Sequence, residues 1–396
     1  LYSGSVKNVK GPVACKIDGK DFDAVSFEYT DAYSVFDWGR MPDDLAGKGR
    51  ALAVLAGALF EELGNPTLWR EFKNSEIALA MAKDYPSKDF ERVGKDLEAR
   101  GVYTHYLGIF SGSSHPEKLT EKNAGSPVQP ELAVKRVGIY RPELGSVLGR
   151  TFPDYQKTRA APAPKLIPLE VVFRFSCPPG SSLIDREKSQ PGYLASLGFG
   201  GRKLEPGARW DFPILELFTK LESSDRPVGL LEALAISGLN HAELESLLFQ
   251  TAWIAGYLKF RAARAGLELA DGKLEWALDE SRKIILVDAV GPDELRLLSS
   301  GASGVQLSKE FLRDYYRSTA WYGEILEAKE AAKRQGIADW KTLVKKGPEK
   351  LPPKVLEVAL QLYPTLTNVI SGKKWFQNAW DLEKLIEGIR SAGAGS

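Results

Sequence analysis

Two β-rich segments, around residues 266–277 and 283–290, are separated only by a short polar turn at 279–282, a spacing that predicts an antiparallel hairpin. The first contains Asp271-Gly272-Lys273-Leu274-Glu275. Residues i, i+2 and i+4 of a strand point to one side of the sheet, so Asp271, Lys273 and Glu275 present acid, base and acid on a single face. Pairing of the two strands lets Asp288 join them. Glu275 and Asp288 then make a carboxylate pair of the kind that holds Mg²⁺ against nucleotide phosphates. The same alternation also fits a solvent-exposed polar face of an antiparallel sheet.

The rest of the chain reads as a mixed α/β protein. Residues 2–7 lead through a Gly11-Pro12 turn into a strand at 27–31, and residues 49–63 carry Leu52, Leu55, Leu59 and Leu63 at helical spacing. Further amphipathic pieces fill 71–100. A polar Gly/Ser/Pro stretch spans 111–130, and an Ala/Pro stretch at 160–164 reads as a linker or hinge. The apolar run Ile167-Pro168-Leu169-Glu170-Val171-Val172-Phe173-Arg174 reads as a strand with one charge in each half. A long helical region is expected over 230–266 and another over 311–335. Helices at 351–363 and 380–389 form a C-terminal appendage, followed by a small-residue tail at 391–396 expected to be mobile. No internal repeat is present.

Composition removes several function classes. Lys and Arg number 53 against 52 Asp and Glu, so no bulk charge draws the chain to nucleic acid or to an anionic membrane. Two cysteines, Cys15 and Cys177, argue against a disulfide scaffold or a multi-cysteine metal centre. His105, His115 and His241 are scattered without HxxH or HExxH spacing and receive no catalytic role; a GxSxG nucleophile turn is also missing. No apolar run reaches the roughly 18 residues that a membrane helix requires, and no signal-peptide pattern is read. A soluble cytoplasmic enzyme is the expectation, with small-molecule substrates and neither nucleic acid nor membrane as a partner.

Three further constellations suit anions. Arg174 ends an apolar strand ahead of Gly180-Ser181-Ser182, an arrangement able to grip phosphate or simply to cover a turn. Gly4-Ser5-Val6-Lys7 offers a glycine turn followed by a cation. Pro292-Asp293-Glu294-Leu295-Arg296 precedes Lys309 and Arg313, four apart on a helix face, where they either line an anionic pocket or coat a solvated surface.

Taken in order, these blocks resemble the SAICAR synthetase family of purine biosynthesis. The similarity runs through Leu1-Tyr2-Ser3-Gly4-Ser5-Val6-Lys7, residues 29–37, Gly47-Lys48-Gly49, residues 167–174 with Gly180-Ser181, Leu269-Ala270-Asp271-Gly272-Lys273-Leu274-Glu275, Asp288, residues 292–296 and residues 307–313. The blocks are collinear and span most of residues 1–330. The resemblance implies a two-lobed, ATP-grasp-related α/β (α+β type) fold with antiparallel sheets flanked by helices. The expected segments are an N-terminal β-rich lobe over 1–165, a catalytic lobe over 166–330 and a helical extension over 331–396, with ATP between the two lobes.

The implied reaction is ATP-dependent joining of carboxyaminoimidazole ribonucleotide and L-aspartate through an acyl phosphate. ATP and Mg²⁺ are the implied cofactors. Lys7 would contact ATP phosphates, Glu275 and Asp288 would hold Mg²⁺, and the backbone near Leu166 would meet adenine with Lys220 nearby. Arg174, Ser181, Arg296 and Arg313 would bind the ribonucleotide. Glu170, Asp271 and Lys273 would lie beside its imidazole and carboxylate, with Asp271, Lys273 and Arg296 as the catalytic set. Asp37 and Asp293 would serve the aspartate end. Replacing Glu275 with Ala is expected to stop turnover and spare the fold, as for an exposed acid. The sequence departs from the family pattern at Ser5, at Ala289, at Glu294-Leu295 and in an extra residue with Pro178-Pro179 before Gly180. Those departures leave room for an amide ligase acting on another carboxylate, or for a catalytically idle nucleotide-binding scaffold.

Overall fold

The computed structural model describes residues 2–4, 6–17, 19–111, 115–125, 130–178, 181–222, 224–301, 304–337 and 339–393. Ser5, Pro179, Gly180 and the last three residues of the tail, which figured in the expectations above, lie outside the described residues. Two compact units form, and they do not follow chain order. The first contains Leu1–Gly57, Leu107–Val134 and Gly291–Ser396; the second contains Ala58–Tyr106 and Lys135–Val290.

The first unit is built on strands β1 (Tyr2–Ser3), β2 (Lys7–Ile17), β3 (Lys20–Tyr29), β4 (Tyr106–Phe110) and β5 (Glu131–Lys135), in the order β1-β2-β3-β5-β4. Gly11-Pro12 does not turn the chain. It sits inside β2 where the register against β3 shifts between Lys10 and Val13. Proline has no N–H for the ladder, so a local bulge absorbs it and the strand continues.

The C-terminal residues fold into this same unit. The expected helix ending at Tyr363 runs on through Pro364 as Pro353–Ser371 and stops at Gly372, whose φ of 68° is the left-handed geometry glycine tolerates. Packing overrides the proline: Thr365 Oγ1 donates to the Trp380 carbonyl and Thr367 Oγ1 to the Ala51 carbonyl. The final helix, Leu382–Gly393, takes up much of the expected mobile tail, and Ala392 is buried.

The second unit holds β6 (Glu143–Val147) and β7 (Arg150–Asp154) as a separate hairpin, and β8 (Lys165–Ser176), β9 (Arg209–Thr219), β10 (Pro227–Val228), β11 (Leu267–Leu278) and β12 (Ile284–Val287) as an antiparallel array in the order β10-β9-β8-β11-β12. The predicted hairpin is β11–β12, paired from Glu275–Val287 to Leu278–Ile284. Residues 160–164 lead from the short helix Gln156–Ala160 straight into β8.

The long helix His241–Arg264 packs against β8, β9 and β11. It is cut off from Leu230–Ser237 by Gly238 at a φ of 70° and starts at a reciprocal capping box between Asn240 and Glu243, so the expected single helical region is two helices. Residues 71–100 similarly contain parts of three helices, Pro66–Lys73, Glu76–Asp84 and Lys88–Arg100, each capped by an Asn or Ser side chain. Among the described residues no helix is long and apolar enough to cross a membrane.

One close approach in this unit gives a direct stability prediction. A Cβ on Gly94 would lie 2.4 Å from the Trp253 ring, which is itself stacked on Phe90 at 4.5 Å and donates its Nε1–H to the Phe90 carbonyl. The indole therefore has little freedom to retreat. Gly94→Ala is expected to destabilise the fold by about 2 kcal/mol despite alanine's better helix propensity. A urea melt showing an unchanged midpoint would contradict this packing.

Candidate active site

Strand registry places five of the predicted residues, Glu170, Arg174, Asp271, Lys273 and Glu275, on one face. Opposite Asp271, Lys273 and Glu275 of β11 lie Arg174, Val172 and Glu170 of β8. On the next strand Ile214, Glu216 and Phe218 of β9 continue the same rows. Alternation sends Leu274, Val171 and Leu217 to the other face, where all three are buried. A single set of strands thus carries the core on one side and a charged row on the other. That row is not a solvent-exposed polar face: Glu170, Asp271 and Glu275 are each exposed by less than a tenth.

At one end of the row the charges interlock. Lys273 Nζ donates to Glu170 Oε2 at 2.7 Å and lies 3.9 Å from Glu275. Lys220, just beyond β9, is 2.7 Å from Glu275 and 3.4 Å from Glu170. Burial alone would lower both lysines, but the Glu275 and Glu170 carboxylates outweigh it and hold both ammonium groups charged. Acids still outnumber these two cations. Burial, with the Asp288 charge second, pushes the Glu275 carboxyl up to about 7 against the opposing pull of Lys220 and Lys273. Asp225 is raised by burial and then by Glu170. Asp288 follows the end of β12 directly, with its backbone in the left-handed region at a φ of 67°. Aspartate tolerates that geometry better than most residues.

These donors fit a magnesium–nucleotide. Among the described residues no group of three or more His, Cys, Asp or Glu forms a self-sufficient metal cage. Burial and the neighbouring Asp288 charge raise the proton affinity of Glu275 even with Lys220 2.7 Å away, so a further cation bound here would relieve that carboxylate. Mg²⁺ commonly takes one or two carboxylates and completes its shell with phosphate oxygens and water. Leu166 lies nearby in β8, within an apolar cluster with Leu221, Ala277, Ile285 and Val287. Its N–H donates to the Gly138 carbonyl, so its side chain is what the cluster presents.

At the other end of the row, Arg174 is fixed by two acids: Nε donates to Glu216 at 2.5 Å and NH1 to Asp271 at 3.4 Å. Burial would lower this guanidinium, and the two carboxylates reverse that. Ser181 is buried and caps the helix Ser182–Ser189, accepting from the Leu183 N–H, whereas the hydroxyl that meets Arg174 is Ser182, at 3.4 Å.

The remaining predicted residues belong to the first unit. Lys7 lies over the Phe27 ring at 4.2 Å. Asp37 is exposed and 3.4 Å from Lys329. Arg313 is paired with Glu310, which also feels the charge of Arg296. Asp293 is 3.6 Å from Lys48 and accepts a 2.8 Å hydrogen bond from the Tyr363 hydroxyl.

Four residues that pack around the predicted ones went unassigned in the sequence. Glu216 is fully buried, 2.6 Å from Arg186 and hydrogen-bonded by Tyr193 Oη at 3.0 Å. Its signal was visible as a lone acid within Phe212-Pro213-Ile214-Leu215-Glu216-Leu217-Phe218. Arg186 looked like one charge among several in a polar helix. Lys48 stood between two glycines without a partner in view, and nothing local marked Tyr363.

Comparison with known proteins gives consistent results. A sequence profile of SAICAR synthetase matches residues 2–328. A putative phosphoribosylaminoimidazole-succinocarboxamide synthase of Archaeoglobus fulgidus is 34% identical over 351 residues, covering 88% of each chain. The phosphoribosylaminoimidazole-succinocarboxamide synthase of Thermoplasma acidophilum is 34% identical over 215 residues, 53% of this chain and 69% of its own. Among solved structures, the SAICAR synthase of Saccharomyces cerevisiae complexed with SAICAR is similar in fold, with a TM-score of 0.54, 21% identity and 95% coverage of both chains.

Proposed function

The chain belongs to the SAICAR synthetase family, and from that premise we propose that it is an ATP-dependent ligase joining carboxyaminoimidazole ribonucleotide to L-aspartate. The reaction is a step of purine biosynthesis, which we place in the cytoplasm. The observation that carries the reading is the buried row of Glu170, Lys220, Lys273, Glu275 and Asp288, whose excess of acid suits a cation and whose lysines suit anions.

A carboxylate resists attack by an amine because its oxide is a poor leaving group. In the first step a carboxylate oxygen of the ribonucleotide bonds to the γ-phosphorus of ATP while the β–γ bridging bond breaks and ADP leaves. In the second, the amine of aspartate bonds to the activated carbonyl carbon, the carbon–oxygen bond to phosphate breaks, and the nitrogen gives up a proton. Two anions meet in the first step, so fixed cations have to offset their repulsion. Lys273 and Lys220, held charged by their acids, supply that at the phosphoryl end, and Lys7 would cover the phosphates. Glu275 and Asp288 would hold Mg²⁺, which when bound neutralises phosphate charge.

Arg174, with Ser181 or Ser182, would bind the ribonucleotide phosphate, and the family resemblance also assigns Arg296 and Arg313 to the ribonucleotide. Glu170 and Asp271 orient Lys273 and Arg174 respectively. Leu166 and its apolar neighbours would receive adenine. Asp293 and the exposed Asp37 would serve the aspartate end.

ADP release from the purified chain is expected to depend jointly on the ribonucleotide and aspartate, and to stop when EDTA removes divalent cations and resume on adding Mg²⁺. A chain that releases ADP at the same rate without either substrate, or only with a different carboxylic acid, would overturn the assignment.

A further inference from the structure

The profile match ends at residue 328, yet Tyr363, on the helix Pro353–Ser371, reaches back to a residue of the proposed site. Its hydroxyl donates to Asp293 Oδ1 at 2.8 Å, and its ring lies under Lys48 Nζ at 5.2 Å. Lys48 is only 1% exposed. Among the described residues its ammonium has the ion pair with Asp293 at 3.6 Å but no acceptor at hydrogen-bond distance. A buried ammonium with unspent donors is costly unless something arrives to accept them. All of these residues lie within the first unit.

We propose that Tyr363 is a positioning residue through which the C-terminal helices complete the subsite for the amine substrate: it fixes the Asp293 carboxylate so that Asp293 receives the substrate's ammonium nitrogen and Lys48 receives one of its carboxylates. The inference rests on the reading of Asp293 given above. An amino acid carries both charges, and the Asp293–Lys48 pair is their complement. The phenol suits its task because it neutralises nothing. It occupies one oxygen of Asp293 by a directed hydrogen bond and leaves the other to the ion pair with Lys48. The ring meanwhile offers its electron-rich face to the ammonium. Lys309 adds a second positive charge near Asp293.

The test is steady-state kinetics of the full-length chain with ATP, ribonucleotide and aspartate varied in turn. Tyr363→Phe keeps the ring and its packing and removes one hydrogen bond to a charged group, an interaction whose loss lowers kcat/KM by about 10- to 100-fold. That fall is expected for aspartate, with the KM values for ATP and ribonucleotide unchanged. Thr365→Ala serves as control: it removes a buried hydrogen bond of the same helix, to the Trp380 carbonyl, and is expected to lower the melting temperature without altering any KM. If the wild type shows the joint substrate dependence and Tyr363→Phe matches it, or raises all three KM values together, the positioning role is wrong and the functional reading stands. If the wild type shows no such dependence, the reading fails and the subsite falls with it.

Discussion

Glu275→Gln is expected to lower turnover about 10³-fold or more while leaving the melting temperature within a few degrees of wild type. The activity loss follows from the donor set: glutamine keeps the shape and an acceptor oxygen but removes one of the two carboxylates proposed to hold the cation. The small stability effect follows from the sign of the shift. A carboxyl raised in the folded state is less easily ionised there than in the unfolded chain, so at neutral pH its charge opposes folding. Removing that charge relieves the repulsion with Asp288 and forfeits part of the attraction of Lys220, and these offset. Alanine is the poorer choice. Glu275 is buried, not the exposed acid the sequence suggested, and truncation would leave a void and strip Lys220 of its nearest partner. Circular dichroism melts alongside ADP-release assays decide the matter. Retained turnover in the glutamine variant would remove Glu275 from the cation site.

Glu216→Gln should produce the opposite profile, with a large stability loss accompanying the kinetic one. Glu216 is the shared counter-ion of Arg174 and Arg186, and neither arginine is more than a fifth exposed. Neutralising it leaves the buried Arg174 with Asp271 at 3.4 Å and strips the half-buried Arg186 of the carboxylate 2.6 Å away. Breaking a buried pair from one side costs about 3–5 kcal/mol, and the remaining acid places this case near 3. The KM for the ribonucleotide should rise at least tenfold, because Arg174 loses the bond that aims it. Adding Arg186→Met to Glu216→Gln should recover part of the stability but not the KM, since it removes a stranded charge without restoring the brace. Urea denaturation with an unshifted midpoint for Glu216→Gln would show that the cluster does not hold this unit together.

What the sequence made legible was local. Alternation in 271–275 and the turn at 279–282 specify strand faces and a hairpin, and period-2 geometry leaves little freedom once one side is apolar. The same logic reached Glu170 and Arg174 on β8. Partners across large sequence distances were not legible. Nothing near Glu216 says that it meets Arg174 42 positions away, and nothing near Asp293 says that Tyr363 lies over it 70 positions later. Burial was also misjudged for the charged row, because alternation reports which side a residue faces and not what covers that side. The helix expected to end before Pro364 failed for a related reason: local propensity was outweighed by hydrogen bonds that the helix makes to distant backbone.

The strand order β9-β8-β11-β12 has a consequence for the chain as it is made. The pairs that tie β8 to β11 join residues far apart in sequence: Lys273 to Glu170 spans 103 positions and Arg174 to Asp271 spans 97. β8 is made before β11, so while the 97 to 103 positions between the partners are added, Glu170 and Arg174 have no β11 acid or lysine beside them. A nascent or truncated chain ending before residue 271 therefore carries Glu170 and Arg174 without Lys273 and Asp271, and one ending before 288 has Glu275 without Asp288. Catalytic competence would arise late, once the hairpin and the later residues Asp293, Arg296, Arg313 and Tyr363 are all in place, making regained activity a stringent gauge of complete folding.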